Sequence, residues 1–262
     1  MSIISIPVEL LFVITIIIVL VAAEIGLRLG RAVSEKSADE KETNASSIAA
    51  AILTLAGFML AFTFDVASAR YQDRKQLVRD DADAIGTAWL RSDFLPEEDR
   101  VQAARLFRKY LDGRVYATQA HDTDQIPKLM GEAREIQYQL WDMAVRNARK
   151  DMNSDVYALY IESLNTLMKI NALRIAIALE PQIPGLIWIA LYALVILGMM
   201  AIGYHTAIAG SSHRSWATSI LALSFALVIT LVAALDNPRS RIIPPQEPLL
   251  DLQKEMAARP HT

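Results

Sequence analysis

The chain has no cysteine in 262 residues, which excludes disulfides, thiolate catalysis and Cys-ligated zinc while leaving the redox compartment open. Aromatics are sparse, 7% against 53% hydrophobic, so the apolar content is aliphatic to a degree unusual in a soluble fold. An excess of basic charge is also missing: 26 Lys and Arg stand against 29 Asp and Glu, giving a net −3 and no polyanion-binding surface. No nucleic-acid partner is expected. Glycine-rich phosphate loops, HExxH, GxSxG and CxxC are all absent, so no enzyme, cofactor or metal is expected either.

Two groupings come closest to a metal site. His205 and His213 flank one short loop, but no acidic residue accompanies them there to complete a ligand set. Asp80, Asp81 and Asp83 lie in a stretch that reads as continuous helix, where neighbouring side chains diverge, unlike a calcium loop. They read as a solvated face.

What the chain does have is long apolar runs. Roughly 20 apolar residues at 1.5 Å each cross a hydrocarbon core of about 30 Å. Four segments meet that length: one centred on Leu10 to Ala23, Ala45 to Ala67, Ile183 to Ile208, and Trp216 to Leu235. The first has no Lys or Arg before it, is longer than a signal h-region and is followed at once by a second span, so it reads as a retained helix. The second is rich in Ala and Ser with Gly57, a composition that suits contact with protein rather than lipid. The third follows Pro181 and Pro184 and carries Trp188, Tyr192 and Tyr204, aromatics favoured at membrane interfaces.

Between Ser68 and Gln182 charges of both signs are interspersed, and glycine occurs only at Gly86, Gly113 and Gly131. This stretch reads as helix throughout. Nothing breaks the second span before Ser92, Asp93 and Pro96, and Pro96 with Glu97, Glu98 and Asp99 starts the next helix. Val101, Ala104, Phe107, Tyr110 and Leu111 line one of its faces. A turn is expected at His121 to Pro127, then an amphipathic helix over Lys128 to Arg149 and a last one from Ser154 to Leu179. In that last helix Val156, Tyr160, Leu164, Leu167, Asn171, Ile175 and Ala178 form a seam, read as packing within the chain, with an intersubunit contact as the alternative.

The expected fold is therefore all-α and polytopic: four transmembrane helices with a helical extramembrane domain inserted between the second and third. Residues 1–67 hold the first two spans, 68–182 the helical domain, 183–236 the last two spans and 237–262 a C-terminal tail. Basic residues near the spans conflict over orientation. Arg70, Arg74, Lys75, Arg79, Lys169, Arg174, Arg239 and Arg241 outnumber Arg28, Arg31, Lys36, Lys41 and Arg214, yet the first span alone argues the opposite way.

The richest segment is the second span and its extension. Thr54, Phe58, Phe62 and Asp65 recur at intervals of four, four and three, one stripe on one helical face that Ala69 continues. In a ring of identical subunits the stripe gives stacked rings of hydroxyl, aromatic and carboxylate, a hydrophobic constriction followed by a charged ring. Otherwise Phe58 and Phe62 fill a helix interface and Asp65 snorkels at the membrane edge.

The spacing of Phe58, Phe62, Arg70 and Tyr71 within FMLAFTFDVASARYQDR resembles the pore-lining second helix of the bestrophin channels and of the bestrophin-like domain proteins grouped with them. DADAIGTAWLR, Asp81 to Arg91, is similar to the bestrophin-like group as well. The resemblance implies a bestrophin-like fold and a homo-oligomer, a pentamer, in a bilayer of the bacterial inner membrane type, with cytoplasmic termini and inorganic ions as permeants. It puts Thr54, Phe58 and Phe62 in a pore neck and Ala69, Arg70 and Tyr71 in its cytoplasmic extension. Asp65 departs from the uncharged aromatic neck of the animal anion channels and tips the balance toward a monovalent cation channel. The acidic calcium clasp of those channels is not recognisable in Leu235 to Thr262, so calcium gating is not expected. The alternatives are a non-conducting scaffold or sensor whose helical domain binds a protein, and a transporter, which should show paired broken spans with midplane charges.

Overall fold

The structure is a computed structural model that describes residues 7–34, 39–119, 125–179, 183–209, 216–237 and 246–259. The described residues are helical and contain no strand. Among the described residues eight α-helices follow one another: α1 (Val8–Ser34), α2 (Asp39–Arg91), α3 (Glu97–Gln119), α4 (Ile126–Ala148), α5 (Asp155–Leu179), α6 (Gly185–Ile208), α7 (Trp216–Asp236) and α8 (Glu247–Ala258). Helices α1, α2, α6 and α7 are long and apolar enough to cross a membrane. The chain divides into two compact units, residues 1–71 with 181–243, and residues 72–180 with 244–262.

In the first unit α1 packs on α6 and α7. Lipid tails are as apolar as leucine, so membrane helices associate through close packing rather than water exclusion. Here that packing depends on missing side chains. A Cβ on Gly26 of α1 would run into the Met200 carbonyl of α6, and one on Gly203 of α6 would run into the Ala23 carbonyl of α1. Gly30, one turn after Gly26, lies against Tyr204 and Ala207 in the same way. Around this contact Val19, Leu191, Val195, Met199, Ile229 and Val232 form a buried apolar core. Pro184 has an extended backbone and caps α6, so the third span starts at Gly185, two residues after the expected Ile183.

The second unit begins within α2. That helix ends at Arg91, and a 3-10 turn over Ser92–Phe94 leads to Pro96, whose carbonyl accepts the Arg100 N–H at 2.8 Å. Phe107, Tyr110 and Leu111 of α3, Leu140 and Met143 of α4, and Tyr160, Leu164 and Leu167 of α5 form its core with Ile85 and Trp89 of α2. The α5 seam thus packs within the chain from Tyr160 to Asn171, while Val156 at its start is exposed. Residues 121–124 of the expected turn lie outside the described residues, and α4 begins at Ile126 with Pro127 in its first turn.

The C-terminal tail holds an element that periodicity did not reveal. Leu249, Leu252 and Met256 of α8 are buried in the core of the second unit, and the Met256 carbonyl accepts a hydrogen bond from Arg108 at 3.1 Å.

Candidate functional site

The first-unit part of α2 has a sharp division of faces. Ala49, Ala56, Leu60, Thr63 and Ala67 are buried at helical spacing. On the other side Thr54, Phe58, Phe62, Asp65 and Ala69 are all exposed. Phe58 is 69% exposed and Phe62 54%, so two large rings one turn apart are left uncovered by the chain's own helices. Gly57 and Ala61 share the exposed side, and a Cβ on Gly57 would meet nothing within 4 Å. The small residues that suggested a protein-facing helix therefore divide: Ala49, Ala56 and Ala67 are covered by the chain itself, while Gly57 and Ala61 lie where it supplies no neighbour. Thr54 turns its hydroxyl back to the Ala50 carbonyl at 2.8 Å, which leaves oxygen lone pairs on that face.

Arg70 and Tyr71 differ from the stripe in being half-buried. The Arg70 guanidinium lies 3.6 Å from Asp236, the last residue of α7. Asp236 is 1% exposed, and its carboxylate accepts the Ile183 backbone N–H at 3.1 and 3.3 Å. The end of the fourth span, the approach to the third and the end of the second are thus joined at one carboxylate. In the sequence Asp236 stands only as the acid that follows the apolar run Trp216 to Leu235. Its signal is faint: an acid directly after an apolar run is more often an interfacial marker than an acceptor.

The acidic group of α2 needs correction. Asp81 is fully buried, not part of a solvated face, whereas Asp83 is exposed and Asp80 intermediate. Asp81 accepts from Arg174 of α5 and from Arg114 of α3, the latter at 3.4 Å. Arg114 also donates to Asn171 Oδ1 at 2.6 Å and stacks over the Tyr110 ring at 5.2 Å. Asn171 Nδ2 reaches Gln137 at 3.4 Å, and Gln137 donates to the Tyr110 hydroxyl at 3.1 Å. Burial pushes the Tyr110 hydroxyl above its ordinary value, and burial together with Arg114 lowers Arg174. The sequence does contain the clue, since Asp81 falls at helical spacing between Val78 and Ile85, on the apolar side of the helix.

Among the described residues no three His, Asp or Glu side chains gather to hold a metal. His205 lies in the last turn of α6, and His213 lies outside the described residues. In the second unit Asp80, Asp83, Thr87, Arg91, Glu162 and Thr166 line an open groove of about 350 Å³ between α2 and α5.

A model of the bestrophin-like domain matches residues 16–243. Structures of a bacterial bestrophin homologue from Klebsiella pneumoniae are similar over nearly the whole chain. One variant has a TM-score of 0.67 at 11% identity, covering 97% of this chain and 99% of that one. A second structure has a TM-score of 0.65 at 13% identity, with 95% and 97% covered. A further variant has 0.65 at 14%, with 95% and 99% covered. Identities this low establish the shared fold and nothing finer. Comparison with curated proteins finds no match.

Proposed function

The chain belongs to the bestrophin-like family, and from that premise we propose that it is a homo-oligomeric ion channel whose pore is lined by α2. The family is one of channels rather than enzymes, and the four spans make this a multi-pass membrane protein. The observation that carries the reading is the uncovered face of the second span. Aromatic side chains exposed at helical spacing between Thr54 and Asp65 suit a closed ring of identical helices better than a single chain.

In such a ring, a pentamer by family resemblance, Phe58 and Phe62 form a constriction that resists wetting. Thr54 offers hydroxyl oxygens at one side of it and Asp65 a ring of carboxylates at the other. The carboxylates concentrate cations and raise the barrier to anions, which favours monovalent cation conduction. Ala69 continues the neck toward the second unit, while Arg70 and Tyr71 lie half-buried beside it; that unit is taken as cytoplasmic together with both termini in a bacterial inner membrane.

Planar-bilayer recording of the purified protein tests this. Unitary currents that reverse on the cation side in asymmetric KCl are expected, together with an intact mass in lipid nanodiscs equal to five chains. A silent protein, or a monomer, overturns the reading.

A scaffold reading has one observation in its favour. Leu90 and Phe94 are exposed near Leu159, whose carbonyl accepts from Arg91 at 2.7 Å, and Val156 is exposed one turn before Leu159. Apolar side chains exposed on a water-facing unit suit a protein partner. If the protein is silent in bilayers yet oligomeric, that reading takes over.

A further inference from the structure

Within the first unit, the end of the second span carries Asp65 and Arg70, two charges of opposite sign with different surroundings. Asp65 is exposed on the stripe. Arg70 follows five residues later, which turns it by about 140° around the helix, toward the buried side. There it meets Asp236, whose position does not depend on Arg70: the Ile183 N–H holds both carboxylate oxygens, and the side chain is 1% exposed. Arg70 keeps 35% exposure, so it is the movable member of the pair. A long arginine relieved of a buried carboxylate turns its head toward water.

We infer that Asp236 is a positioning residue for ion selectivity. It keeps the Arg70 guanidinium on the buried side of α2, so that this positive charge does not offset the carboxylate of Asp65. The inference rests on the reading of α2 as the pore helix. It adds a residue from another span that never touches the permeating ion yet sets which sign of ion passes. Without that tether, each subunit would present one positive charge about one and a half turns from its one negative charge, a distance at which the two fields overlap in salt of ordinary strength.

The test is the K⁺ to Cl⁻ permeability ratio from reversal potentials in asymmetric KCl, for the full-length protein and four variants. Asp236→Asn keeps an oxygen for the Ile183 N–H and removes only the charge. It should lower the ratio by about twofold or more, in the same direction as Asp65→Asn. Asp236→Asn with Arg70→Gln should return the ratio to that of the unmodified protein, because the freed charge is gone. Asp236→Glu should keep most of it. An unchanged ratio in Asp236→Asn overturns the inference, as does a double variant that remains shifted. If Asp236→Asn does not assemble, the double variant decides alone: an unshifted ratio supports the inference and a shift toward chloride overturns it. The channel reading fails differently, through absence of current in the unmodified protein, and the role of Asp65 fails through an unchanged ratio in Asp65→Asn.

Discussion

Arg174 on α5 donates to the buried carboxylate of Asp81 on α2, and Arg114 on α3 shares the same acceptor. Two cations on one fully buried anion leave that carboxylate with no replaceable partner. Asp81→Asn should therefore destabilise the protein by about 3–5 kcal/mol, the range for breaking a buried pair and stranding its partner charge. The thermal midpoint of the purified protein reads this out. Asp83→Asn, two positions on and exposed, should leave the midpoint unchanged.

Asp65→Asn tests the charge on the stripe. The variant should fold and assemble like the parent, since Asp65 is exposed on its own chain. Its reversal potential in asymmetric KCl should move toward that of chloride. An unchanged potential removes Asp65 from selectivity.

Phe62→Ala tests the constriction. With 54% of the residue uncovered, truncation should cost the single chain little, while the widened neck should raise conductance or open probability. Single-channel recording decides, and unaltered currents exclude Phe62 as a gate.

Two glycines of opposite surroundings test the packing of the spans. Gly203→Ala puts a methyl group onto the Ala23 carbonyl and should lower stability by about 1–3 kcal/mol. Gly113→Ala in α3 meets nothing within 4 Å and should be neutral or stabilising by up to about 1 kcal/mol through helix propensity. Measured side by side, the thermal midpoint of Gly203→Ala should fall and that of Gly113→Ala should not.

The spans were legible because the hydrocarbon thickness imposes a length that apolar runs reveal directly. The helix starting after Pro96 and the buried face of α3 were legible because capping and 3.6-residue periodicity are local signals. Asp81 was legible only in part: its spacing from Val78 and Ile85 puts it on the apolar side, but a carboxylate flanked by Asp80 and Asp83 reads as surface until the arginines from α3 and α5 arrive, and those are set by tertiary structure. Asp236 escaped for the same reason: its partners, Arg70 and the Ile183 N–H, are distant in sequence. Gly26 and Gly30 are spaced as a close-packing pair, yet only the approach of Gly203 gives the spacing meaning. The stripe on α2 was visible in the sequence as a periodicity, and its exposure became visible only when the remaining helices had been packed.

The contact between α1 and α6 also constrains how the protein is made. Gly26 meets a carbonyl that is synthesised roughly 170 residues later. At typical translation rates of about 5–20 residues per second, the first span waits on the order of 10–30 s in the bilayer before its partner emerges. During that interval its glycine face has only lipid to pack against. The first two spans must therefore persist as separate helices, each long and apolar enough to remain inserted unaided, and the first unit can close only when the third has been delivered.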